Sequence, residues 1–251
     1  MKTSLLALLL WLSAGRPAVA QSRDSLGGKV KTYFPAGRAR QARAYQQLVQ
    51  EAARFYEEAL PGPPFVVGLN VRPTTPVPYY DDETNRLVVG ASKQAPQLFQ
   101  PADGSSADTV DLVAVHELGH YYFYTLHPTA IPTKWAGEFF ASYFAICYLE
   151  TRKGLSMRPS APAGPLPQYR TLADFERLYY GVGGPNYGWY QGRFAALAYA
   201  LYPKFKTKLV KIAFAEYGPT GKPPPPTPGT PENSCSQGSG ALVENNAVAI
   251  C

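Results

Sequence analysis

The chain reads HELGH at His116–His120. Two histidines four residues apart stand on one face of an α-helix, one turn above each other. Both imidazoles can then reach a single zinc ion at about 2.0–2.1 Å. Glu117 is rotated by about 100° from His116 around the helix. It reaches past the ion to the water bound there, so it serves as a base rather than a ligand. Val110, Leu112, Val113, Ala114 and Val115 precede the motif, and Tyr121, Tyr122, Phe123 and Tyr124 follow it. A helix that is apolar all round is a buried one, and a buried helix does not hold two bare histidines. The competing reading, a surface helix with two solvated histidines, leaves those flanks unexplained.

Catalytic zinc usually takes three protein ligands and keeps one position open. A third histidine ten residues after the first would be one source, but that position is Leu126. His127 comes one residue too late and is followed by Pro128, so it reads as a loop histidine. Glu138 is the better source, with 17 residues between it and His120. Thr133–Glu150 is apolar and unbroken and reads as a second buried helix, with the Thr133 hydroxyl placed to cap it. A lone glutamate in such a helix must be paired or metal-bound. Zinc satisfies it, and so would an arginine from elsewhere in the chain.

HELGH followed by Trp135, Glu138, Phe140 and Ala141 (W-x-x-E-x-F-A) resembles the gluzincin metallopeptidases, the aminopeptidase-like branch most of all. The close resemblance covers about Asp108–Glu150. It implies a zincin-like fold, His116, His120 and Glu138 as zinc ligands, Glu117 as general base, and a peptide or protein as substrate. The GAMEN-type motif that reads a substrate amino terminus in the aminopeptidases is absent, so exopeptidase action is unsupported. Ser142 stands where the thermolysin-like branch has an aspartate supporting a ligand histidine. A serine does a weaker version of that work, or packs. The resemblance also implies that RLVVGAS, just before the zinc helix, is an edge strand along the substrate cleft. A peptide can pair with such an edge through its backbone, although an ordinary core strand would read the same.

The second region with chemistry is YYGVGGPNYGWYQGRF, Tyr179–Phe194. Metal-assisted peptide hydrolysis passes through a tetrahedral oxyanion, which a positioned donor stabilises. Gluzincins supply a tyrosine or histidine from this downstream region, and no histidine remains here. Tyr187 and Tyr190 are the candidates, with Arg193 a possible clamp for a substrate carboxylate. Against this, the chain has 18 tyrosines, most of them expected to be packing residues with a wet hydroxyl.

Residues 1–20 read as a cleavable signal peptide: Lys2, the apolar core Leu5–Leu12, and Ala18-Val19-Ala20 before a cut near Gln21. The protein is therefore expected outside the cytoplasm, secreted or periplasmic, with no stable membrane insertion, since the apolar run is too short to span a bilayer. The formal charge of +6 includes Lys2 and Arg16, and the excess that remains does not argue for nucleic acid. Lys204, Lys206, Lys208 and Lys211 read as a solvated face. Residues 21–218 form the expected zincin-like domain, read as a monomer. Residues 219–251 are a proline- and glycine-rich tail that cannot bury a core. Cys235 and Cys251 can close a disulfide loop there in an exported chain, while Cys147 fits a small buried apolar role.

The element pattern is α+β, with a small sheet in the first half and a helical second half. Residues 39–60 form an amphipathic helix carrying Tyr45, Leu48, Val49, Ala52 and Tyr56, stopped by Pro61-Gly62-Pro63. Phe65–Val71 and Arg86–Ala91 read as strands, the latter entered through a turn at Asp82–Asn85. Then come a proline-rich loop over Gly154–Gln168, a helix at Leu172–Tyr180, the glycine-rich turn GVGGPNYG, and helices at about Trp189–Leu201 and Lys204–Tyr217. Three functions compete: a zinc peptidase, a zinc-bearing binding or scaffold protein with little turnover, and a secreted adhesin. The intact Glu117 favours the first, because a scaffold has no chemical need for a base. A serine hydrolase is disfavoured, since no G-x-S-x-G occurs.

Overall fold

The computed structural model describes residues 23–60, 62–75, 78–90, 99–101, 110–126, 133–153, 157–159, 171–178 and 183–217. The expected signal segment, His127, and the tail with Cys235 and Cys251 lie outside the described residues.

The architecture is α+β. A five-stranded mixed sheet occupies the first half and helices the second, with HELGH on a helix. Strands β1 (Arg23–Leu26) and β2 (Thr32–Pro35) are antiparallel, and α1 (Ala39–Ala59) leads to β3 (Gly68–Arg72), parallel to β2. β4 (Tyr79–Asp81) and β5 (Arg86–Gly90) are antiparallel neighbours, and β5 lies parallel to β3. The order β1-β2-β3-β5-β4 puts β1 and β4 at the edges and makes β5 an inner strand. RLVVG is thus a core strand, with Leu87, Val88 and Val89 fully buried. A strand buried on both faces reads as a continuous apolar run, which is why sequence could not separate an edge from a core here.

α1 buries Tyr45, Leu48, Val49, Ala52 and Tyr56 as expected. The strand expected from Phe65 starts only at Gly68, because its first N–H groups go to side chains. Phe65 N–H donates to the Glu57 carboxylate and Val66 N–H to the Tyr121 hydroxyl, both at 2.8 Å. The turn at Asp82–Asn85 forms, with Asn85 at φ +51°, a left-handed conformation that asparagine tolerates. Asp81 closes it by accepting from the Thr84 hydroxyl at 2.8 Å.

β6 (Phe99–Pro101) pairs antiparallel with β7 (Met157–Pro159), a short strand inside the expected proline-rich loop. α2 (Val113–Tyr121) continues into a π-helical turn, Tyr122–Leu126. α3 (Lys134–Tyr148) is buried from Trp135 to Tyr148 and likewise ends in a π-helical turn, Leu149–Lys153. The Thr133 hydroxyl does not cap α3. The Glu176 carboxylate does so instead, accepting from Lys134 N–H at 2.6 Å and Trp135 N–H at 3.3 Å. A carboxylate suits the positive end of a helix. Glu176 lies on α4 (Leu172–Leu178), itself opened by a reciprocal Thr171–Asp174 box.

α5 spans Gly183–Phe205 and α6 Lys208–Tyr217. Most of the expected GVGGPNYG turn is therefore helix. Pro185 falls in the first turn, where a missing N–H costs nothing because those donors have no partner within the helix. The break between α5 and α6 comes at Lys206, φ +45°. Cys147 is a buried free thiol, its Sγ 3.5 Å from the Lys206 carbonyl.

Candidate metal centre

Four elements meet at the HELGH face: α2, α3, α5 and the edge strand β4. α2 presents His116, Glu117 and His120, whose candidate ligand atoms all lie within 4.8 Å of one another. Glu138 comes closer still. Its Oε2 lies 3.4 Å from His116 Nε2 and 3.5 Å from His120 Nε2, whereas Glu117 Oε1 is 4.0 Å from His116 Nε2. A tetrahedral zinc with bonds of about 2.0–2.1 Å sets its ligand atoms about 3.3–3.4 Å apart. The Glu138 separations match that edge and the Glu117 separation exceeds it. Two imidazoles and one carboxylate are a donor set that zinc accepts.

The approach of α3 to α2 depends on Gly119. A Cβ there would lie 2.9 Å from Ala141 Cα and 3.1 Å from its carbonyl oxygen, and backbone cannot swing aside. Glycine inside a helix costs about 1 kcal/mol relative to alanine, and here it lets Glu138 reach the histidines. Gly119→Ala is expected to cost about 1–3 kcal/mol as an overpacked core site. Chemical denaturation would measure it, and a stability equal to that of the parent would refute the close-packing account.

His116 is only 2 % exposed, and Glu117 and Glu138 are also buried. Ser142 Oγ lies 3.2 Å from His116 Nδ1, so Ser142 holds the ring by its far nitrogen and leaves Nε2 turned to Glu138. Gln191, on α5, donates from Nε2 to Glu138 Oε2 at 2.5 Å. Glu117 is anchored from the sheet. The main-chain N–H of Tyr80, on edge strand β4, donates to its Oε2 at 2.9 Å. Tyr80 also shares a 2.6 Å hydrogen bond with Thr125 in the turn after the motif, and its ring lies 5.8 Å from Tyr121. The edge strand is thereby fastened to the HELGH helix at several points.

Charge is sorted by these contacts. Burial pushes the Glu117 carboxyl up to about 8, and a divalent cation beside it would act in the opposite sense. Burial would also raise Glu138, but the His120 charge and hydrogen bonds from both histidines hold it well below the usual carboxylate range. Burial lowers His116 despite Glu138. In His120 the Glu138 charge and hydrogen bond outweigh burial and raise it.

The structure brings His116, Glu117, His120 and Glu138 into one cluster. Tyr190 is buried in α5 with its ring 6.1 Å from Phe194. The side chain of Tyr187 lies outside the described residues. From that segment it is Gln191, the residue after Tyr190, that reaches Glu138. Sequence reasoning missed this contact because it placed the residue just inside a shorter helix. It also missed Tyr80, whose contribution is a main-chain N–H that carries no residue-type signal.

Among solved structures, the chain is similar to the M1 zinc metallopeptidase from Deinococcus radiodurans, with 15% identity and a TM-score of 0.32, covering 77% of this chain and 48% of that one. A mutant of that enzyme bound to a Tyr-Ser-Ala substrate matches at 17% identity and TM-score 0.31, with the same coverages. A two-domain M1 zinc metallopeptidase mutant bound to L-tryptophan matches at 16% and 0.31, covering 80% of this chain and 49% of that one. The chain thus spans about half the length of these structures, and the similarity is distant. No family model matches the chain, and neither does any curated protein.

Proposed function

We propose that this chain is an exported zinc peptidase in which His116, His120 and Glu138 hold the ion and Glu117 is the general base. The observation that carries the reading is the approach of Glu138 Oε2 to both His116 Nε2 and His120 Nε2 at tetrahedral-edge separations. Zinc, when bound, supplies Lewis acidity toward a carbonyl and acidifies water to near neutrality. The protein supplies position and proton transfer. Tyr80 N–H fixes Glu117 Oε2, leaving Oε1 on the side of His116. At Oε1 the carboxylate takes a proton from the attacking water and then gives it to the leaving amine. Ser142 keeps the His116 ring in one orientation, and Gln191 does the same for Glu138. β4, as the edge strand beside Glu117, is where an extended peptide backbone can pair.

A zinc-bearing scaffold would need the three ligands but not a base pinned by the sheet, so the Tyr80–Glu117 contact favours an enzyme. The purified protein is expected to carry about one zinc per chain, as a three-ligand site does, and to cleave mixed peptides or an unfolded protein. A chelator should abolish cleavage and added zinc should restore it. Cleavage that survives metal removal would sink the proposal, and stoichiometric zinc without cleavage would leave the scaffold.

A further inference from the structure

The two ligand histidines are held differently. Ser142 engages Nδ1 of His116, but the buried Nδ1 of His120 has no hydrogen-bond partner among the described residues. The His120 ring instead lies nearly parallel to the ring of Tyr124, at 10° with centroids 5.5 Å apart. Tyr124 follows His120 by four residues, in the π-helical turn that prolongs α2, so winding sets the two on one side. Its far end reaches the neighbouring helix. The Tyr124 hydroxyl rests against Gly137, where a Cβ would overlap it. Gly137 immediately precedes Glu138. One side chain thus spans from a ligand on α2 to the backbone beside the ligand on α3.

We propose that Tyr124 is the positioning residue for His120: stacking on the imidazole and wedged against Gly137, it fixes the ring plane that Ser142 fixes by hydrogen bonding in His116. The proposal rests on the zinc reading above. Ring orientation matters because an imidazole binds an ion only along the lone-pair direction of its nitrogen, and partners that orient such ligands are worth about 10–100-fold in metal affinity. Offset parallel stacking of aromatic rings is attractive and directional. A packing role alone would predict otherwise. Tyr124 is 42% exposed, so its loss should cost folding little and should leave metal affinity unchanged.

The test is zinc affinity, measured by competition with a chromogenic chelator, for the full protein and three variants. Tyr124→Leu is expected to weaken zinc about 10–100-fold while the metal-free thermal midpoint stays near that of the parent. Tyr124→Phe keeps the stack and is expected to recover most of the loss. Gly137→Ala pushes the ring away from the other side and should weaken zinc in the same direction, deciding the matter if Tyr124→Leu does not fold. In the cobalt-substituted protein, Tyr124→Leu should also alter the visible absorption bands, which report ligand geometry. Unchanged affinity in Tyr124→Leu, or in Gly137→Ala where that variant decides, overturns the proposal while leaving the zinc site standing. Failure of the parent protein to bind zinc is a separate result, and it removes the zinc reading together with this one.

Discussion

Glu117→Gln is expected to retain zinc and to lower kcat/KM for peptide hydrolysis by about 10²–10⁴-fold, the usual contribution of a positioned acid–base group. The substitution is close to isosteric. The amide oxygen can still accept the Tyr80 N–H that the carboxylate now accepts at 2.9 Å, so the side chain should stay in place. What disappears is basicity, since an amide cannot take the water proton. Nor should the fold suffer. Burial already pushes the Glu117 carboxyl up to about 8, which shows how poorly this site solvates a negative charge, and a neutral amide avoids that cost. Metal analysis, thermal melting and steady-state kinetics on the same preparation separate these quantities. Unchanged turnover would mean that Glu117 is not the base. Lost zinc would mean instead that it belongs among the ligands, as its place within 4.8 Å of both histidines allows.

The parts of this centre that were legible in the sequence are those in which a residue type at a fixed spacing has few other uses. HELGH is one, and Glu138, a single carboxylate in an apolar helix, is another. α1 and the Asp82–Asn85 turn were legible for the same reason, through periodicity and turn chemistry. What escaped depends on tertiary approach. The Tyr80 contact to Glu117 is made by a backbone amide and has no residue signature. The edge strand beside Glu117 is β4, three residues long, too short for alternation to show, while the stronger apolar run became the inner β5. Gln191 was hidden because α5 begins six residues before the expected start at Trp189, with Pro185 tolerated in the first turn. One available signal went unused. Gly119 and Gly137 each sit inside a buried helix, where glycine is unfavourable by about 1 kcal/mol. Both mark close approaches, one to the Ala141 backbone and the other to the Tyr124 hydroxyl.

Glu138→Ala is expected to weaken zinc by more than the roughly 10–100-fold that outer partners of a ligand contribute, because on the proposed reading it deletes a ligand itself. The nearest remaining donor, Glu117, is less well placed to bind the ion. Glu117 is held toward the sheet by Tyr80, with its nearer oxygen 4.0 Å from His116 Nε2, and Gln191 would lose the acceptor it now bonds at 2.5 Å. The metal-free protein gives an independent readout. Glu138 is held well below the ordinary carboxylate range, so its stabilisation is present above the unfolded value of about 4.3 and is lost as pH falls toward the folded value. Removing the carboxylate should therefore flatten the acid side of the metal-free stability profile. It should also lower the His120 pKa, since the Glu138 charge is what raises it. Chelator competition, acid titration of stability and a histidine NMR titration follow these three effects. Stoichiometric zinc at parental affinity in Glu138→Ala would show that the third ligand lies elsewhere.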